Sequence, residues 1–238
     1  MKKETKPELF IKVPNEEFKA MVQGQKCKEF IAVALYLYSI CHGWRDYHGY
    51  CETSIRQIKE ALKCPENDRH TKRMRNALAE LMKLPFLSFG SANGNLKSKR
   101  DITKTKPNDI LRLCFDKNFF NDKVKKGYSE IYDKDLKKLF ETEHVFSMTQ
   151  NNIVNLVNVF FFAQSVLFSG KKTAIAQNRY PISKLTKELH LSDDTIWDCM
   201  SALQRAKVLY FKKCPNPIQD GVGGTEFHVK RTPFREET

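Results

Sequence analysis

The sequence predicts an α+β fold, mainly α with small β-hairpins, in which one pattern occurs twice. Three observations predict it. Apolar residues recur at helical offsets in two pairs of short segments. Each pair exits into a β-prone run, a polar loop rich in Gly or Pro, and a second β-prone run. A long apolar segment precedes each set.

In the first copy the long apolar helix is CKEFIAVALYLYSI (Cys27–Ile40). SIRQIKEALKC places Ile55, Ile58 and Leu62 at offsets 0, 3 and 7, one face of a short helix. KCPEND, with Pro65, breaks it. Met74, Ala77, Leu78 and Leu81 then fall at offsets 0, 3, 4 and 7, predicting a second helix from about Asp68. LPFLSF (Leu84–Phe89) and ILRLCF (Ile110–Phe115) are the strand candidates, joined by GSANGNLKSKRDITKTKPND.

The second copy repeats this order. QNNIVNLVNVFFFAQSVLF (Gln150–Phe168) is the long helix. PISKLTKELHL carries Ile182, Leu185 and Leu189 on one face. In HLSDD, Ser192 or Asp193 is placed to cap the next helix, whose stripe is Ile196, Cys199, Met200 and Leu203. VLYFKK (Val208–Lys213) and EFHVK (Glu226–Lys230) flank the loop CPNPIQDGVGGT.

Helix, helix, turn, helix, hairpin is the order of a winged helix-turn-helix, so the chain reads as two tandem winged helix-turn-helix domains. We expect the first over residues 1–120, a helical connector over 121–148 containing YSEIYDKDLKKLFETEH, and the second over 149–238.

Composition narrows the partner. The 238 residues hold 41 Lys and Arg against 28 Asp and Glu, a net charge of +13. That surplus favours a polyanion. A membrane is not expected, because the most apolar run, Ile153–Phe168, is broken by Asn155, Asn158 and Gln164 and is shorter than a bilayer span. MKKETKPELF lacks the apolar stretch of a secretory signal. Seven cysteines without a CxxC pair suit reduced thiols and a cytoplasmic location.

The second helix of a helix-turn-helix lies in the major groove, so the face opposite its apolar stripe carries the readers. On the first copy Lys72, Asn76 and Lys83 point directly away from the stripe; Arg69 and Arg73 lie on one flank and Arg75 on the other. Arginine matches guanine and asparagine adenine, whereas lysine mainly contacts phosphate. The loop beyond, with Lys97, Lys99, Arg100, Lys104 and Lys106, is expected to be a flexible arm that neutralises phosphates.

The second copy differs. Asp194, Asp198, Ser201 and Arg205 face outward, with Thr195 and Trp197 at the flanks. Two carboxylates repel phosphate, so this helix is the poorer DNA reader. Lys184, Lys187, Lys212, Lys213, Lys230 and Arg231 are candidates for gripping the DNA backbone, and Trp197 for contacting a protein. The expected division is base reading by the first domain and phosphate or protein binding by the second.

No catalytic or cofactor site is expected. CHGWRDYHGYC, with Cys41, His42, His48 and Cys51, matches no closed zinc spacing, even with Cys64 nearby. SGKKT (Ser169–Thr173) fails the phosphate-loop pattern, since Ser165 stands where its first glycine belongs. No HxH pair is available to hold the metal of a nicking enzyme.

The segments SIRQIKEAL with TKRMRNALAELMK, and ISKLTKEL with DDTIWDCMSALQRAKVLYF, resemble in order and size the tandem winged-helix replication initiator proteins of bacterial plasmids and phages. The resemblance spans roughly Phe10 to Pro233. It implies binding of directly repeated double-stranded DNA, recruitment of host replication proteins, and a homodimer in balance with monomer. A transcriptional regulator on the same scaffold and a protein-binding adaptor are the alternatives.

Overall fold

The computed structural model describes residues 10–23, 27–41, 50–84, 87–91, 94–95, 99–115, 127–141, 153–167, 179–215 and 225–231. The fold is mixed α+β, with small antiparallel sheets around a helical core.

The first pattern contains helix α2 (Phe30–Ser39) and strand β2 (Tyr50–Thr53). Helix α2 is apolar on every side, and Phe30 to Leu35, Leu37 and Tyr38 are all buried. Ser54 then caps helix α3 (Ile55–Ala61), its hydroxyl accepting from Gln57 N at 3.2 Å. The turn passes through Lys63 in the left-handed region, φ 47°. Asn67 caps helix α4 (Asp68–Leu81) by accepting from His70 N at 2.9 Å. Strands β3 (Leu87–Ser91) and β4 (Gly94–Asn95), helix α5 (Lys99–Lys104) and strand β5 (Leu111–Phe115) follow. The sheet order is β2-β5-β3-β4.

The later pattern begins its helices with α7 (Ile153–Leu167), reached after β6 (Tyr128–Tyr132) and α6 (Asp133–Glu141). Strand β7 (Arg179–Pro181) leads directly into helix α8 (Ile182–Leu189), and His190 closes it at φ 53°. The left-handed residue thus occupies the inter-helix turn in both copies. Ser192 caps helix α9 (Asp193–Arg205), accepting from Thr195 N at 3.2 Å. Strands β8 (Tyr210–Pro215) and β9 (Thr225–Lys230) complete a sheet of order β7-β9-β8. In both sheets the strand before the helix pair joins the last strand, which also joins the strand after the pair.

Two sequence expectations are corrected. The 121–148 segment is not a purely helical connector: Tyr128–Tyr132 is a strand, paired antiparallel with β1 (Phe10–Pro14). Strand β1 leads into α1 (Asn15–Gln23) as β6 leads into α6. The repeated pattern is therefore longer at its front than the apolar offsets indicated. Secondly, the basic segment after β3 is not wholly a flexible arm. Its residues 99–104 form α5, whose Ile102 is fully buried.

The copies interlock across one apolar cluster. Phe18 of α1 packs on Phe30 at 5.1 Å and on Phe161 of α7 at 5.6 Å. Tyr36 of α2 meets Phe140 of α6 at 5.6 Å. Two of the three amides that interrupt the apolar run of α7 bind backbone: Asn158 Nδ2 donates to Lys28 O at 3.1 Å, and Gln164 Nε2 to Glu130 O at 2.8 Å. No helix among the described residues is long and apolar enough to cross a membrane.

Candidate nucleic-acid interface

Helix α4 buries its stripe and exposes its opposite face, as its amphipathic pattern requires. Thr71, Met74, Ala77, Leu78 and Leu81 are buried, whereas Arg69, Lys72, Asn76 and Lys83 are exposed. Lys83 is paired with Glu80 one turn earlier at 2.6 Å, which offsets its charge locally. Partial desolvation and the neighbouring Arg73 hold His70 below its ordinary value, so it stays neutral near pH 7.

The two half-buried arginines differ. Arg75 donates from Nε and Nη2 to the carbonyl of Thr105, at 3.1 and 2.6 Å. Those two nitrogens form the side edge of the guanidinium, one of the edges that binds guanine bidentately. In this structure that edge of Arg75 is occupied by the chain behind α5. Among the described residues, Arg73 donates only from Nη1, to Glu29 at 3.3 Å. Lys104 and Lys106 are exposed, while Lys97 lies outside the described residues, as do the side chains of Lys99 and Arg100.

The approach of α4 is fixed by a residue that sequence alone leaves looking like a surface charge. Lys59 is only 2% exposed, and its ammonium donates to Glu66 at 2.6 Å and to Thr71 at 3.1 Å. It thereby ties α3, the turn and α4 together. Its hydrogen bond also holds the Glu66 carboxyl below the usual range. Lys59→Ala is expected to destabilise the fold by about 2–4 kcal/mol in denaturant unfolding, as loss of a long buried stem does. Lys59→Met keeps the stem and should recover most of that loss. If Met is as damaging as Ala, the polar contacts matter more than the packing.

In the second copy α9 exposes Asp194, Asp198, Ser201 and Arg205. Trp197 is half-buried; with Met200, Ser201, Gln204, Arg205 and Phe211 it lines a shallow groove. Lys213 lies 5.6 Å from the Trp197 ring and Lys184 5.2 Å from that of Tyr180. Lys184, Lys187, Lys212, Lys213 and Lys230 are all exposed. Arg231 turns inward: it pairs with buried Asp135 at 2.6 Å and stacks over Tyr132 at 4.0 Å. Its guanidinium is held within the fold, whereas the sequence alone offers it as a phosphate contact.

Cys41, Cys51 and Cys64 carry no metal cluster within the described structure: among the described residues no group of three His, Cys, Asp or Glu side chains could hold an ion. His42 and His48 lie outside the described residues. Sequence reasoning missed Glu29, Lys59 and Thr105 as partners of α4, because each contact is made across the fold. No protein-family model, curated protein or solved structure matches the chain.

Proposed function

We propose that the protein is a sequence-specific double-stranded DNA-binding protein built from two tandem winged-helix units, and that it initiates replication of a plasmid or phage at repeated origin sites. One observation carries the DNA reading. Helix α4 sits second in a helix pair, its apolar stripe is buried, and Arg69, Lys72 and Asn76 stand exposed on its far side. A helix so held fits a major groove about 12 Å wide. The recurrence of one strand-pairing pattern around both helix pairs supports the tandem arrangement.

The division of labour follows from charge. The first unit reads bases through Arg69, Arg73 and Asn76, with Lys72 on phosphate. In the second unit the carboxylates of α9 disfavour a groove, while Lys184, Lys187, Lys213 and Lys230 hold the backbone. The groove beside Trp197 favours a protein contact there, a host replication protein or a second copy of the chain.

Arg73→Ala or Asn76→Ala should cost about 1–3 kcal/mol of binding to the preferred duplex and relax base preference; Asp198→Ala should leave base preference unchanged. The reverse result would exchange the roles of the two helices. Recovery of genomic fragments bound to the protein tests the replication reading: direct repeats within its own replicon support it. A promoter palindrome would make the protein a transcriptional regulator, and capture of a protein with little DNA would make it an adaptor.

A further inference from the structure

We propose that Glu29 is a positioning residue for base readout: it grips one nitrogen of the Arg73 guanidinium and leaves the side edge aimed at a guanine. This rests on reading α4 as the DNA-binding helix. Glu29 sits at the start of α2, at its N-cap position, and its side chain is 9% exposed. A carboxylate that buried needs a cationic partner, and Arg73 Nη1 supplies it at 3.3 Å. The Arg73 side chain remains 41% exposed. Its Nε and Nη2 are bonded to no other described residue.

The neighbouring arginine gives the contrast. Arg75 has the same two nitrogens closed on the Thr105 carbonyl. Of the two half-buried arginines on α4, only Arg73 therefore keeps the fork that matches guanine O6 and N7. Holding Nη1 from behind also removes rotamer freedom before DNA arrives, so less is lost when the fork docks.

The test uses the full-length chain and a random duplex library. The preferred sequence is selected with the wild-type protein, and base substitutions at each position are then titrated. Arg73→Ala should abolish discrimination at one guanine position. Glu29→Gln should weaken discrimination at that same position about tenfold, with other positions unchanged, and should add nothing when combined with Arg73→Ala. Glu29→Asp keeps the charge and shortens the reach by one methylene; it should show the same selective loss and guards against a misfolded Gln variant. If Glu29→Gln and Glu29→Asp fold, bind, and keep full guanine preference while Arg73→Ala loses it, Glu29 is merely structural and the proposal is overturned. Full preference in Arg73→Ala overturns it equally, and leaves α4 reading through Asn76 and Lys72. A wild-type protein that selects no duplex at low salt overturns the DNA-binding reading itself.

Discussion

Arg231→Ala is expected to destabilise the protein by about 3–5 kcal/mol near pH 7, the usual cost of orphaning one partner of a buried ion pair. Asp135 is 1% exposed, and Arg231 Nη2 donates to its Oδ2 at 2.6 Å. The guanidinium also covers the Tyr132 ring at 4.0 Å. Together these contacts bind the end of β9 to the strand–helix element that opens the second copy.

The loss should depend on pH with a defined sign. Burial already pushes the Asp135 carboxyl above its ordinary value, although the nearby Arg231 charge pulls it down. Removing Arg231 raises it further. A carboxyl with a raised folded-state value contributes its full stability below the unfolded value, near pH 4, and loses it as pH rises through the folded value. The deficit of Arg231→Ala in urea unfolding should therefore be smaller at pH 4 than at pH 7. It is capped at high pH only where the carboxylate ionises in both states. A deficit independent of pH would mean that the stacked guanidinium packing, and not the charge pair, stabilises this corner.

Raising salt from 50 to 200 mM is expected to weaken duplex binding about a thousandfold. Roughly six phosphate contacts suffice, since each neutralised phosphate contributes about 0.9 to the logarithmic salt slope. Exposed cations include Arg69, Lys72, Lys104 and Lys106 in the first unit and Lys184, Lys187 and Lys213 in the second. Arg75 and Arg231 are turned inward and Lys83 is locally paired, so they add little. Lys72→Ala should lower the slope by about one. A shallow slope would favour the adaptor reading, in which the second unit binds protein.

What the sequence made legible was whatever local periodicity encodes. The stripes of α4 and α9, a cap at Ser192 or Asp193 and the hairpin positions are all properties of neighbouring residues. They emerge within a few residues of where the apolar offsets put them. What was hidden depends on partners far along the chain. Arg73, Arg75 and Arg231 look alike in sequence, yet they meet Glu29, Thr105 and Asp135, separated by 44, 30 and 96 positions. Only the fold tells a half-exposed arginine from an anchoring one.

The pairing of β1 with β6 was hidden for the same reason, but one signal was present. VPNEEFKAMV (Val13–Val22) and IYDKDLKKLF (Ile131–Phe140) share apolar positions, with Phe18, Met21 and Val22 matching Leu136, Leu139 and Phe140. In each, a short β-prone run precedes an acidic first helical turn. The repeat is thus written in the sequence ahead of the long apolar helices as well.

DNA binding through the exposed cationic side of α4 can be measured in one titration. The selected duplex is titrated at 50 mM salt with the wild-type protein and with the triple variant Arg69→Ala, Lys72→Ala, Asn76→Ala, whose altered residues all lie on the surface. The wild-type protein should bind with an affinity on the order of 10 nM, and the variant, unfolding at the same temperature, should lose at least about a hundredfold. Equal affinity of the two proteins would contradict binding through that side of α4.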